Sequence, residues 1–441
     1  MTTLVWFRDD LRVADHPALH AAAESGDAIV ALYILEDASE HIRARGGAAR
    51  WWLHHSLRAL AAALAERGVP LILRQGPTEV VLADVVAESG ARTVLWNRRY
   101  GQGRHHDAAL VEALGADGIR VRTFIGDLLF EPHTVATQDG GAYRVYSAFW
   151  RACTAEREPA GPLPAPRALT PAPSQPRSDA LDEWALLPTS PDWSGGLSER
   201  WTPGEAGAQR RLDEFLSHRA GRYRARDFPA EDNCSELSPH LRWGEISPRS
   251  VWHAAVDATG DIGLFLSELG WREFAKHTAF HFGPLHVRNL NRRFDAFPWA
   301  TDSHGEVAAW QQGRTGFGLV DAGMRELWQT GFMHNRVRMV TASLLTKNLM
   351  THWRVGEAWF WDTLVDADEA SNPFNWQWVA GCGADAAPYF RIFNPELQQQ
   401  KFDPDGHYVR RWAPDSDAVL RIIDLKASRA RALDAYQSLS G

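Results

Sequence analysis

At 441 residues the chain is too long for one ordinary domain, so two or three are expected. Hydrophobic content of 45% and charged content of 23% are those of a soluble globular protein. A net charge of −8 excludes a global pull toward nucleic acid, so any DNA binding must rest on a local basic surface.

The three cysteines, Cys153, Cys234 and Cys382, are too few for a disulfide framework and lack the CxxC spacing of a zinc or iron–sulfur site. No signal peptide is expected, since Met1-Thr2-Thr3 leads straight into a strand pattern, and no run of 18 apolar residues marks a membrane span. The cytoplasm is the default expectation. The 20 tryptophans are the anomaly: each alone reads as core filler, but the whole set does not.

Thr3–Phe7 is a short buried-strand run, followed by Arg8-Asp9-Asp10-Leu11-Arg12. Asp15-His16-Pro17 opens an Ala-rich helix, with Pro17 in the first turn where its missing N–H does no harm. Further strands are expected at Ala28–Leu35, Leu71–Leu73, Thr93–Trp96 and Arg120–Phe124. Helices are expected at Trp51–Arg67, closed by Gly68, at Glu79–Ser89 and at His106–Leu114. This alternation predicts an α/β domain over residues 1–130, a Rossmann-like parallel sheet with helices on both faces. It is not a dinucleotide site, because neither GxGxxG nor a P-loop follows the first strand. Trp96-Asn97-Arg98-Arg99-Tyr100 lies at the carboxyl edge, where such sheets bind ligands, but reads as a solvated charged loop.

Residues 131–199 read as a connection. Tyr143–Trp150 is a packed aromatic segment, and Pro159–Pro191 is rich in Pro, Ala and Ser, an extended linker over the surface.

Residues 200–441 read as an all-α domain. Helices are expected at Glu205–Ala220, Pro248–Ala258, Asp261–Phe282, Val307–Gln312, Leu319–Gly331, Asn335–Met350, Val355–Val365 and Ser428–Leu439. Cys234-Ser235-Glu236-Leu237-Ser238 precedes a helical segment; its hydroxyls read as caps or as phosphate ligands. Helical spacing puts Glu268, Trp271 and Arg272 on one face, where a Glu–Arg pair reads as a surface salt bridge of about 0.3–0.5 kcal/mol. Arg219, Arg222, Arg224, Arg226, Arg288, Arg292, Arg293, Arg336, Arg338 and Lys347 form a phosphate-binding rim if the fold gathers them around one opening.

The stretch Asp366–Pro395, DADEASNPFNWQWVAGCGADAAPYFRIFNP, lacks the apolar stripe of an ordinary core helix. Asp366, Asp368 and Asn372 lead into Trp376 and Trp378, and Gly381-Cys382-Gly383-Ala384 leaves room for a close approach to the backbone. A large, flat, partly polar ligand suits such a wall.

These motifs converge. RDFPAEDNCSELSPHLRWGEISPR, SELGWREF, GRTGFGLVDAGMRELWQTGFMHNRVRM and the stretch above resemble signatures of the photolyase/cryptochrome family, in the family's order and over nearly the whole chain. Within the family the chain is most similar to the bacterial branch that repairs cyclobutane pyrimidine dimers. The resemblance implies an antenna chromophore in the α/β domain and FAD, active in its reduced form, in the helical domain. UV-damaged DNA would be the partner of a monomer, with no membrane and no metal. It places Ser235, Leu237 and Ser238 along the FAD phosphates, and Arg272, Asn335 and Arg338 around the flavin. Asp366 and Asp368 would flank the ring and ribose, with Asn372 facing flavin N5. Trp376, Trp353 and Trp299, from the flavin outward, match the family's electron-transfer chain. Glu268, Trp271, Met339 and Trp378 match positions that touch the flipped dimer, and Asn335 and Arg336 lie with them on the substrate side. Glu268 would bond a thymine carbonyl.

Two departures stand out. CSELS replaces the usual TSRLS, exchanging a hydroxyl for the Cys234 thiol, a poorer donor, and a basic residue for Glu236. Tyr223, the expected FAD contact, stands one residue closer to Arg226-Asp227 than is usual. Two rivals share the fold. A cryptochrome-type sensor is disfavoured by the lack of a long tail and by Glu268, Trp271 and Met339. Repair of the (6-4) photoproduct is disfavoured by Asn335, where the eukaryotic enzymes have a second histidine. For the antenna, folate, deazaflavin and flavin stay open.

Overall fold

The apolar runs Thr2–Phe7 (β1), Ala28–Leu35 (β2), Leu71–Gln75 (β3), Thr93–Asn97 (β4) and Arg120–Phe124 (β5) pair in parallel in the order β3-β2-β1-β4-β5. The computed structural model describes residues 1–37, 42–155, 158–258, 262–300, 305–386 and 390–439. β1 and β2 are buried on both faces, which is why they read as continuous hydrophobic runs rather than alternating ones. Pro17–Glu24 (α1), Gly47–Ala65 (α2), Thr78–Ser89 (α3) and Gly103–Ala116 (α4) supply the crossovers. The His16 ring caps α1, its Nδ1 accepting from Leu19 N at 3.0 Å. The strand order reverses at β1, so the loops after β1 and β4 part there and leave a crevice.

Tyr146–Ala155 (α5) packs against the helix Gly263–Phe282. The Pro-rich stretch is then laid on the α/β domain by main-chain bonds from Leu169 to Arg67, Ile29 to Thr170 and Asp179 to Leu73. The remaining chain is helical. Two expected long helices instead change pitch, each ending in a wider π turn, at Phe215–Arg219 and Leu344–Asn348. The start expected at Asp261 lies outside the described residues; the helix is described from Gly263. No helix among the described residues is long and apolar enough to cross a membrane.

A helix the sequence did not announce, Ser371–Ala380, occupies the middle of the Asp366–Pro395 stretch. It is buried almost all round, so it shows no apolar stripe. The following Gly-Cys-Gly run does not open the backbone to a visitor. Gly381, at φ +94°, caps the helix, and Cys382 is fully buried. A Cβ on Gly383 would strike Trp378 N at 2.7 Å, so what approaches closely is the chain itself. Ala387–Tyr389 of the same stretch lie outside the described residues.

The two halves meet at a buried polar junction. Arg12 donates to Gly126 O at 2.7 Å and Gly244 O at 2.8 Å. Asp15, at φ +47°, accepts from Arg249 at 2.7 and 3.1 Å, from Ser247 Oγ and from Leu163 N at 2.9 Å. Glu205 receives Val13 N and Ala14 N, and Glu245 receives Trp52 Nε1 at 2.9 Å. The apolar core on one face of the sheet continues across this junction to Trp243, Phe332 and Val365.

Candidate functional site

Three separate elements meet on one carboxylate. Arg338, in the helix Asn335–Ser343, holds Asp366 with both arms at 2.8 and 3.1 Å, and Ser238 Oγ donates to the same carboxylate at 2.7 Å. Such a two-armed pair fixes orientation as well as charge. Two residues on, Asp368 accepts from Ala370 N and Ser371 N at 2.7 Å and starts the helix Ser371–Ala380. Burial works against its charge, but Lys276 and those N–H groups outweigh it and hold the carboxyl below its usual range.

Asn372 stands in the first turn of that helix. Its amide nitrogen donates to Glu357 O at 3.0 Å and Glu357 Oε1 at 2.8 Å, which uses both hydrogens and leaves Oδ1 as the free end. One turn on, Trp376 is 2% exposed and packs on Phe360 and Trp310, ring centroids 4.9 and 6.1 Å away. Its indole lies over Gly356, three residues after the fully buried Trp353, whose Nε1 donates to Asn289 Oδ1 at 2.8 Å. Trp299 is half-buried, and the His352 ring sits between it and Trp353 at 4.8 and 5.7 Å. Burial lowers the His352 pKa to about 4, so that ring is neutral at physiological pH. Of the three indoles, Trp376 and Trp353 are buried and Trp299 is half-buried.

The substrate-side residues form a second wall. Glu268 does not pair with Arg272 as its spacing suggested. It takes Arg226 at 2.7 Å; burial raises its pKa, with Arg226 opposing. Arg272 instead bonds Asp127 after β5, the Leu241 carbonyl at 3.4 Å and Glu273, which commits its fork to the domain junction. Trp271 is half-buried and stacked on Tyr146. Met339 is half-buried, its sulfur 3.9 Å from Arg336, which pairs with Asp227 at 2.5 Å. Trp378 is half-buried under Arg391, and Asn335 is exposed at the helix start.

The phosphate loop resolves one departure. Glu236, at φ +52°, points away to Arg200 and to Arg211 at 2.9 Å, so its charge is neutralised outside the loop. The Cys234 thiol donates to Arg226 O at 3.7 Å, and burial pushes its pKa up to about 12. Ser235 Oγ accepts from Leu237 N at 3.4 Å, and the Leu237 side chain joins a core with Tyr223, Phe215 and Phe265. Neither hydroxyl caps the short helix Ser238–Arg242. The rim is partial. Arg226 and Arg336 stand beside Glu268 and Met339, whereas Lys347 is 1% exposed and donates inward to Ala380 O at 2.7 Å.

A cavity of about 90 Å³ opens at the carboxyl edge of the sheet, lined by Arg8, Glu36, Arg43, Arg99 and Lys276 among others, and it borders the first wall at Asp368. The Arg98-Arg99-Tyr100 segment is therefore not a solvated loop. Arg98 pairs with Glu131, Arg99 with Glu36 at 2.9 Å and Asp107 at 2.7 Å, and Tyr100 is buried. Sequence reasoning missed Glu357, although Trp353, Glu357 and Trp361 recur every four residues along one helix face.

Residues 3–170 match the family model "DNA photolyase", and residues 265–421 match "FAD binding domain of DNA photolyase". The chain is 51% identical to a deoxyribodipyrimidine photo-lyase of Agrobacterium fabrum over 95% of this chain and 88% of that protein. It is 37% identical to Cryptochrome-1 of Arabidopsis thaliana over 94% of this chain but 63% of that protein. The crystal structure of a bacterial class III photolyase from Agrobacterium tumefaciens superposes with a TM-score of 0.95 at 48% identity, covering 100% of this chain and 98% of the other.

Proposed function

The chain belongs to the photolyase/cryptochrome family, and we propose that it is a deoxyribodipyrimidine photo-lyase that repairs cyclobutane pyrimidine dimers in UV-damaged DNA. The observation that carries this reading is that two helices each bear residues of both walls. Asn335–Ser343 carries Arg338 and Met339, and Ser371–Ala380 carries Asn372, Trp376 and Trp378. A cofactor held by the first wall would thereby be set against a pyrimidine dimer held by the second.

The residues present fit FAD. The Ser235 hydroxyl offers a donor, the Arg338–Asp366 pair steadied by Ser238 offers a fixed charge pair for its polar parts, and the free Oδ1 of Asn372 offers an acceptor. Held there in its reduced form, FAD would supply the light-driven one-electron chemistry that ring splitting needs, with or without an antenna chromophore. The chain's own share is binding, orientation and electrostatics. Arg226 and Arg336, with the exposed Arg222 and Arg224, hold the DNA backbone around the lesion. A damaged pair is cheaper to unstack than an intact one, which favours its entry between Trp271 and Trp378. The raised pKa of Glu268 favours the form that donates a hydrogen bond to a pyrimidine carbonyl. Trp299, Trp353 and Trp376 carry electrons inward when the cofactor must first be reduced. The charged cavity at the sheet edge is the place for the antenna, with folate, deazaflavin and flavin as candidates.

The test is a light-dependent repair assay on UV-irradiated oligothymidine, followed by recovery of thymine absorbance against a dark control. Recovery in light alone, slowed in Glu268→Ala, is the expected result. FAD binding and photoreduction without recovery would replace repair with light sensing.

A further inference from the structure

Arg43 belongs to the α/β domain, yet its guanidinium reaches the helix Trp353–Thr363 and holds Glu357 with both arms, at 2.7 and 3.0 Å. The side chain of Glu357 is 3% exposed, and its Oε1 is the same atom that accepts from the Asn372 amide at 2.8 Å. Arg43, Glu357 and Asn372 are thus one relay across the domain boundary.

The placement of Arg43 is built, not incidental. Its guanidinium lies over the Trp361 ring at 4.1 Å, and Trp361 Nε1 donates to Ala44 O at 2.8 Å. Gly47 N donates to Asp362 Oδ1 at 2.8 Å, and a Cβ on Gly46 would meet Trp361 O at 2.3 Å. Four of the five positions from Arg43 to Gly47 are therefore fixed against the helix that bears Glu357, Arg45 alone turning to Asp37 and Tyr33.

An amide can present either its oxygen or its nitrogen to a neighbour, and nothing in Asn372 itself decides which. The choice is made by Glu357, which accepts with two oxygens and so faces the N–H side. A buried carboxylate deprived of its cation takes up a proton or turns to another donor. A Glu357 side chain that turns from acceptor to donor can meet Oδ1 instead, leaving the Glu357 main-chain carbonyl as the one group that holds the N–H side of Asn372 in place.

We propose that Arg43 is a positioning residue for the flavin site, acting through Glu357 to keep the acceptor oxygen of Asn372 toward the cofactor. This rests on the flavin reading above. An acceptor there favours a flavin that carries a proton on the facing nitrogen, the state of the reduced cofactor, over the oxidised one.

The experiment compares Arg43→Gln, Arg43→Lys, Glu357→Gln and the Arg43→Gln/Glu357→Gln double variant with the wild type. Three quantities are read: FAD bound per chain, Tm, and the lifetime in air of the photoreduced flavin by its absorbance. Arg43→Gln is expected to retain FAD but to reoxidise roughly tenfold faster, the factor that about 1.4 kcal/mol represents. Glu357→Gln should match it, and the double variant should be no faster than Glu357→Gln alone. Arg43→Lys, which keeps the charge but not the two-armed grip, should fall between, and it carries the test if Arg43→Gln does not fold. A wild-type lifetime in both Arg43 variants, or effects that multiply in the double variant, would overturn the proposal while leaving the flavin reading intact. A wild-type chain that takes up no FAD would overturn both.

Discussion

Tyr146 lies flat against Trp271, ring centroids 3.8 Å apart and planes 11° from parallel. Its hydroxyl donates to Ser267 O at 2.7 Å, so a residue from the segment joining the two domains braces the wall proposed to receive the lesion. Stacked aromatic pairs contribute about 0.5–1.5 kcal/mol beyond their area. Tyr146→Ala is expected to weaken binding of a dimer-containing oligonucleotide about three- to tenfold, with little change for undamaged DNA. Tyr146→Phe should bind like the wild type. Fluorescence anisotropy with the two oligonucleotides checks both.

Gly356→Ala should destabilise, although alanine in a helix ordinarily stabilises by about 1 kcal/mol over glycine. A Cβ there would stand 2.1 Å from Trp376 and 2.6 Å from Leu345, and overpacking of that kind costs about 1–3 kcal/mol. Because Trp376 must move, photoreduction of bound FAD should slow as Tm falls. A variant with lowered Tm and wild-type photoreduction would separate Trp376 from the electron route.

Glu236→Arg restores the residue type the phosphate loop usually carries, and it should still be harmful. The new guanidinium would face Arg200 and Arg211, which now share the Glu236 carboxylate. Losing that partly buried arrangement and adding like charge should lower Tm and weaken FAD retention. Combining Glu236→Arg with Arg211→Glu should recover part of the loss, as seen by thermal melts with and without FAD.

Glu273 sets a pH dependence. Burial pushes its pKa up to about 8, despite Arg272 and the N–H groups of Phe130 and Leu129, which favour the charge. In the unfolded chain a glutamate titrates near about 4.3. Between these values the native state keeps a proton that the unfolded state has released, so stability falls as pH rises from about 4.3 to about 8. Glu273→Gln keeps the carbonyl acceptor and removes the proton. Its Tm should show a flatter pH profile than the wild type across that window.

How much of this was legible depended on what each signal reports. Strands buried on both faces declare themselves as apolar runs: Ala28–Leu35 has its expected limits, whereas β3 runs two residues past the expected Leu73 into the polar Arg74 and Gln75. The helix Ser371–Ala380 did not declare itself, because a helix buried nearly all round, with Asn375 alone exposed, has no stripe to read. Motif resemblance named Asn372, Asp366 and Arg338 but was silent on Glu357 and Arg43, whose meaning lies in contacts between residues 314 positions apart. Spacing paired Glu268 with Arg272, whereas the fold gave each a different partner, Arg226 and Asp127. Helical periodicity says which side chains can meet, not which ones the tertiary structure brings nearer.

The Asp15 junction bears on how this chain can be taken apart. Its carboxylate is reached from Leu163 in the Pro-rich stretch and from Ser247 and Arg249 in the helical domain, while Arg12 of its own half is spent on the Asp15 main-chain carbonyl. A cut in the connecting stretch would free the sequence of each half but strand a buried charge in the first and two guanidinium groups, Arg249 and Arg242, in the second. The two halves are therefore separable as descriptions but joined as objects, because the core on one face of the sheet and the charges at this junction are completed from both sides.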